Sequence, residues 1–307
     1  MYRSLGPKGN LPLRVLIFGK SGQVSRELSR LAWPEQMEVV QLGRDACDFC
    51  DPTTVASAVE RLAPDVVINA AAYTAVDRAE SEPELAMTVN GDAPREMARV
   101  CDRVGAALVH ISTDYVFDGS KPGAYVEGDE THPASIYGRT KEAGEAGIRA
   151  VLARHVIVRT SWVFAGHGAN FVKTMLRLGA ERPELRVVAD QHGAPTSARD
   201  IALALRDIVV ARSEGRGAWG TFHFTSAEPT TWYGFARAIL DGAGFVPVPK
   251  LSPITTAEYP TPAVRPANSV LDCTRIHREF GIPQPSWRVA LSEVLAEINL
   301  GQPAARG

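Results

Sequence analysis

Tyr137 and Lys141, in the run Tyr137-Gly138-Arg139-Thr140-Lys141, have the types and spacing for proton chemistry. Residues at i and i+4 share one face of a helix. A phenol with a reference pKa of about 10 is a poor acid or base at neutral pH. A cation one turn along, together with a cationic nicotinamide ring, favours the phenolate and brings that pKa towards a working range. Upstream, Ile111-Ser112-Thr113-Asp114 ends an apolar run and puts hydroxyls where ligands of open α/β sheets bind, at the carboxyl edge. Thr113, Tyr137 and Lys141 then suit protonation of a carbonyl oxygen while hydride reaches its carbon. The competing reading is a surface tyrosine stacked on a lysine stem.

Gly19-Lys20-Ser21-Gly22-Gln23-Val24-Ser25 follows a short apolar run and precedes a helical pattern. Glycines there permit a tight turn and close backbone approach, and a helix N-terminus facing the turn favours a pyrophosphate. The spacing is G-x-x-G-x-x-S, with a small serine where the helix must touch the strand. The second apolar run ends in Gln41-Leu42-Gly43-Arg44 with no acidic residue to hold a ribose 2′-hydroxyl. Arg44 can meet the 2′-phosphate of NADP or be a solvated loop arginine, so NADPH and NADH both stay open.

These groups need a scaffold, and the pattern supplies one. Apolar runs at 13–18, 37–42, 65–69, 106–111 and 155–159 read as buried strands. Helical spacing covers 23–31, 53–62, 82–104 and 137–153 between them. Strands alternating with helices predict an α/β fold, a doubly wound parallel sheet of Rossmann type. Beyond about residue 160 the rhythm weakens: helices are expected at 198–210, 232–240 and 289–298, and prolines between 247 and 285 mark loops. The expected division is a disordered lead-in at 1–12 and a dinucleotide-binding domain at 13–160, joined by part of 195–225. A smaller C-terminal α/β domain at 161–307 would mainly grip substrate.

Composition narrows the class. With 33 basic and 35 acidic residues the net charge is −2, which implies no basic face for nucleic acid. Four cysteines are too few for a disulfide scaffold. No apolar run has the length of a membrane span, and the first residues lack the apolar middle of a signal peptide. A cytoplasmic globular protein is expected.

Several stretches carry a family resemblance: FGKSGQV, PDVVINAAAYTAVDRAESEPELA, ISTDYVFDG, YGRTKEAGE, VRTSWVFAGHGANFVKTML, DQHGAPT and YPTPAVRPANS. Spread from residue 13 to about 298, they resemble the dTDP-4-dehydrorhamnose reductase family of extended short-chain dehydrogenases/reductases. ISTDYVFDG and YGRTK are shared with related sugar-nucleotide enzymes; RTSWVF, DQHGAPT and RPANS narrow the match.

The resemblance implies reduction of the C4 ketone of dTDP-4-dehydro-6-deoxy-L-mannose to dTDP-L-rhamnose by NADPH or NADH. Tyr137 would donate the proton, Lys141 would tune it and hold the nicotinamide ribose, and Thr113 would orient the carbonyl. Gly22, Gln23 and Val24, within the turn that includes Gly19 and Ser21, would contact the pyrophosphate. Asp48 and Phe49 would bracket the adenine, and Ala71, Ala72, Tyr73 and Thr74 would line the ribose–phosphate path. Thr113, Asp114 and Trp162 would touch the deoxysugar or its diphosphate, with Arg265 and Asn268 at the nucleotide end. Some members dimerise around Mg²⁺ held by glutamates of both subunits; Glu27 and Glu297 match such positions and imply a homodimer.

Other constellations point to packing. Cys47 and Cys50 have C-x-x-C spacing, but Cys101 and Cys273 supply no second pair for zinc, and the setting is not thioredoxin-like. His110, inside a strand, reads as a packed core histidine. An epimerase or another 4-ketosugar reductase shares the cradle and the Tyr–Lys pair. Relatives that serve as non-catalytic regulatory subunits of methionine adenosyltransferase form a further alternative.

Overall fold

The computed structural model describes residues 12–300, so all of the expected lead-in except Pro12 lies outside the described residues. The first half is built from β1 (Leu13–Phe18), α1 (Gln23–Arg30), β2 (Met37–Leu42), α2 (Pro52–Leu62), β3 (Val66–Asn69) and the short α3 (Val76–Ala79). There follow α4 (Pro83–Met87), α5 (Ala93–Val104), β4 (Ala107–Thr113), α6 (Ile136–Val151) and β5 (His155–Thr160). The strands expected from the sequence are all present.

The central sheet is parallel and ordered β2-β1-β3-β4-β5, with a sixth strand, Gly220–His223, beside β5. Neighbours lie on both sides of β1, so the winding reverses there and opens a crevice at the strand ends. Successive side chains face opposite sides of a strand. Val15, Ile17, Ile68 and Val109 enter one core with Leu28, Ile201 and Leu205, while Leu16, Phe18, Val67 and Leu108 enter the other with Val55, Met97 and Ile148. Burial on both faces is why these strands read as nearly continuous apolar runs.

The pattern at 82–104 is one helical run with a π turn at Thr88–Asp92 between α4 and α5. Pro94 has no N–H to offer the Asn90 carbonyl one turn back, and the widened turn absorbs that loss.

Past β5 come β6 (Val163–Phe164), α7 (Phe171–Glu181), β7 (Glu184–Val188), β8 (His192–Gly193), β9 (Thr196–Ser197) and α8 (Ala198–Ser213). The chain then adds β10 (Gly220–His223), β11 (Thr230–Thr231), α9 (Trp232–Gly242), β12 (Lys250–Ile254), α10 (Thr274–Phe280) and α11 (Trp287–Leu300). Segment α8 packs on α1, and β10 completes the central sheet. A separate apolar core joins Phe164, Met175, Val187, Phe235, Trp287 and Leu291.

One expectation needs correction: the proline-marked stretch contains β12, whose Pro253 pairs with Val187 of β7. A two-stranded ladder leaves free edges, where a missing N–H breaks no bond. Among the described residues no helix is long and apolar enough to cross a membrane.

Candidate active site

The crevice at the β1/β3 reversal holds a cavity of about 720 Å³. Gly19, Lys20, Ser21, Gly22, Gln23 and Val24 line one end, and Thr113, Tyr137, Lys141 and Trp162 line the other. Gly19 has φ +110°, and a Cβ there would come 3.0 Å from the Ala70 carbonyl oxygen. Both facts require glycine. Gly22 caps α1 without a side-chain hydrogen bond, so the first N–H groups of the helix face the cavity's mouth. Gln41 Nε2 donates to Gly19 O at 2.7 Å and Ser25 O at 2.8 Å, tying β2 to the turn. An extended anion with a flat base fits this end.

Arg44, Asp48 and Phe49 also line the cavity. Arg44 is largely exposed, with Nε 3.5 Å from Asp48 Oδ1. The Cys50 N–H donates to Asp48 Oδ1 at 3.0 Å and holds that carboxyl below its usual range. Phe49 is buried edge-on against Phe18, ring centres 5.5 Å apart. Ala71, Ala72, Tyr73 and Thr74 form the floor beyond β3. Asn90, from the π turn, accepts from Tyr73 N at 2.9 Å and donates to Tyr73 O at 3.0 Å, which fixes that floor.

The reactive end is built on β4 and α6. Ser135 caps α6, its Oγ accepting from Gly138 N at 3.1 Å. Thr113 Oγ1 donates to Asp114 Oδ1 at 2.9 Å and accepts from Tyr115 N at 3.2 Å. Burial pushes the Asp114 carboxyl up to about 6, against hydrogen bonds from Ser269 and Thr113. Burial also raises the Tyr137 phenol, a shift the neighbouring Thr113 hydroxyl partly offsets. Burial lowers Lys141 to about 8, and Glu145 opposes that shift.

Glu145 is itself fully buried and receives Arg159 Nε at 2.9 Å and Nη2 at 2.7 Å. Thr160 Oγ1, on the cavity wall, is buried and has no partner among the described residues, as a group awaiting a ligand does. Trp162 has φ +49° and stacks on Trp232, ring centres 3.7 Å apart.

Four sequence-selected residues are not among the cavity's lining. Arg265 Nη2 donates to Asp77 Oδ2 at 2.8 Å. Asn268 spends its amide on Lys121 O at 2.7 Å, Gly123 O at 2.9 Å and Val270 N at 3.0 Å, so its side chain braces loops. Glu27 and Glu297 do come together, but through Arg30, whose Nη1 reaches Glu27 Oε1 at 2.9 Å and Glu297 Oε1 at 3.1 Å. His167 Nε2 adds 2.6 Å to the same Glu27 oxygen.

Sequence reasoning took His110 as a packed core histidine, which its burial bears out, but missed its contact with the site, and it passed over Asn90 and Trp232. His110 contacts Lys141, Asn90 holds the floor, and Trp232 backs Trp162. Pro94, four residues after Asn90, was the one local signal for the second.

Reversed winding at β1, the glycine turn and the Tyr137–Lys141 face together place the chain among Rossmann-type oxidoreductases. Residues 13–300 match the family model described as RmlD substrate binding domain. The dTDP-4-dehydrorhamnose reductase of Burkholderia thailandensis is 46% identical over 289 residues, covering 91% of this chain and 97% of that one. The Escherichia coli K12 enzyme of the same name is 41% identical, covering 93% and 98%. The crystal structure of the Bacillus anthracis reductase in complex with NADP superposes with a TM-score of 0.87 at 36% identity, covering 94% of this chain and all of that one. The chain belongs to the dTDP-4-dehydrorhamnose reductase family.

Proposed function

We propose that the chain reduces the C4 ketone of dTDP-4-dehydro-6-deoxy-L-mannose to dTDP-L-rhamnose with NADPH or NADH, the last step of dTDP-L-rhamnose biosynthesis. The observation that carries this reading is the meeting of Thr113, Tyr137 and Lys141 at one end of a cavity whose other end is a glycine turn at a helix start. Relatives of the same name, aligned over nearly the whole chain, supply the substrate.

Gly19, Ser21, Gly22, Gln23 and Val24 would hold the pyrophosphate, Asp48 and Phe49 the adenine, and Ala71 to Thr74 the ribose–phosphate path. The bound dinucleotide supplies hydride to C4. Thr113 orients the carbonyl, and the Tyr137 hydroxyl gives its proton to the carbonyl oxygen as that oxygen becomes an alcohol. The phenolate left behind is stabilised by Lys141 in its charged form and is reprotonated from solvent. Asp114 and Trp162 border the sugar, and Arg265, with one guanidinium nitrogen buried and unpartnered, lies towards the nucleotide end. Arg44 favours NADPH. The nucleotide-binding half is read as 13–160 with part of 195–225, and the remainder of 161–307 as the substrate half.

The face with Glu27, Arg30 and Glu297 borders a second cavity of about 370 Å³ between α1 and α11 and is read as the surface of a homodimer. The residues there do not fit Mg²⁺ within one chain: the Arg30 guanidinium already bridges both carboxylates, where a divalent cation would meet its charge. Action in the cytoplasm is part of the same proposal.

The test follows absorbance of NADPH, then NADH, with freshly prepared dTDP-4-dehydro-6-deoxy-L-mannose. Oxidation matched by dTDP-L-rhamnose supports the proposal. Silence from folded protein that binds NADPH overturns it and brings the epimerase and regulatory-subunit readings forward.

A further inference from the structure

A chain of four hydrogen-bonding groups runs behind the site, and every member has a limited inventory of donors and acceptors. The Ala71 N–H donates to Asn69 Oδ1 at 3.1 Å. That bond fixes which way the amide points, so Asn69 Nδ2, a donor, faces His110 Nδ1 at 3.0 Å. His110 Nδ1 must therefore accept. A neutral imidazole that accepts at Nδ1 carries its proton on Nε2. His110 Nε2 lies 3.2 Å from Lys141 Nζ, which also donates to Ile111 O at 2.7 Å.

An ammonium at Lys141 would have only donors and would meet a second donor, Nε2–H. An uncharged amine offers a lone pair, and then every group in the chain is satisfied. Asn69, His110 and Lys141 are all buried, so water cannot relieve a donor facing a donor.

We propose that His110 is a positioning residue of the reaction: oriented by Asn69, its Nε2–H points at the Lys141 amine, fixes where that amine's own N–H bonds are directed, and favours its uncharged form in the cofactor-free chain. Register places the pair, since Asn69 of β3 lies beside His110 of β4.

Burial pulls His110 far below its ordinary range and Lys141 to about 8, in the sense this network requires. The charged and titratable groups around Lys141 are few. Tyr137 and Glu145 sit one turn before and after it on α6, and His110 faces it from β4. Glu145, which favours the ammonium, is paired with Arg149 of α6 and Arg159 of β5. The reaction needs the ammonium to favour the Tyr137 phenolate, so the network sets the pH above which turnover declines. The inference deepens the proposed reduction and rests on it.

Two readouts test it. In ¹⁵N-histidine-labelled wild-type protein, with His110→Phe used only to assign signals, the His110 ring should carry its proton on Nε2. Asn69→Asp keeps an acceptor for Ala71 but presents His110 with a second acceptor. The proton should move to Nδ1, the Nε2 lone pair should face Lys141, and the alkaline limb of the pH profile of kcat/KM for NADPH, which reports the free enzyme, should rise by about one pH unit, a tenfold change in proton affinity. A wild-type ring protonated on Nδ1 overturns the proposal, whether or not Asn69→Asp folds. So does an unmoved limb in folded Asn69→Asp. The ring's proton is read without turnover, so failure of the reductase assignment leaves a separate signature.

Discussion

Gly193 lies directly against the indole of Trp162: a Cβ at Gly193 would come within 2.5 Å of the ring atom Cε2. Trp232 stacks on the same indole, so the Trp162 ring is packed by both a glycine and a second indole while its backbone keeps a left-handed φ. A bare backbone at 193 is what lets the ring stand on the cavity wall. Gly193→Ala should raise KM for the sugar nucleotide by about tenfold to a hundredfold, the range expected of ångström-scale misplacement. The NADPH dissociation constant should stay near its original value; an equal weakening of both would mean that residue 193 supports the whole cavity.

Tyr137→Phe removes the proton but keeps the ring that packs edge-on against Tyr115 at 5.5 Å. General-acid catalysis is worth about 10²–10⁴-fold, and kcat should fall by that much. NADPH titration by fluorescence should change little. Near-normal turnover would return the tyrosine to packing alone.

Arg44 stands on the cavity wall with its side chain mostly in solvent, paired only loosely with Asp48. An exposed pair of this kind contributes little to stability. Arg44→Ala should therefore leave Tm unchanged, raise KM for NADPH and barely alter KM for NADH. Equal effects on the two cofactors would make Arg44 an ordinary loop residue.

Asp114 has a carboxyl raised by burial from 3.8 to about 6 in the folded chain. The folded state thus binds this proton more tightly than the unfolded one, and stability from this group is full below about pH 4 and lost as pH rises through 6. Asp114→Asn, which carries no charge at any pH, should raise Tm over wild type at pH 7.5 and give a much smaller difference at pH 4.5. Thermal unfolding of the cofactor-free protein at the two pH values measures this, and a gain confined to pH 4.5 would reverse the sign argued here.

Strands β1 and β3 to β5 were legible because burial on both faces makes them largely apolar, and the half-buried edge strand β2 was legible from Met37, Val39, Val40 and Leu42. The edge strand β10 was not: Gly-Thr-Phe-His is four residues long and has no run to detect. Nor was α10, a seven-residue helix among prolines and glycines, or β12, whose proline argues against a strand everywhere except at an edge. In the site, the cradle could be read because it sits at the end of β1, and Tyr137 with Lys141 because a spacing of four puts both on one helix face. The contact of His110 with Lys141 depends on how β4 and α6 lie across each other, which no local pattern encodes. Asn268 illustrates the reverse case, a polar residue whose partners are all backbone groups, two in a distant loop and one two residues on.

Tyr137, Lys141 and Glu145 follow one another at single turns along α6, and Arg159 belongs to the strand beneath. The ion pair between the last two therefore acts as a dowel through helix and sheet. If α6 rotated or slid by one residue, a carboxylate and a guanidinium would be stranded in a dry interior, and losing one partner of such a pair costs about 3–5 kcal/mol. The helix is indexed against its sheet by a charge two turns away from the phenol, so the aim of the Tyr137 hydroxyl is set by a residue outside the cavity's lining.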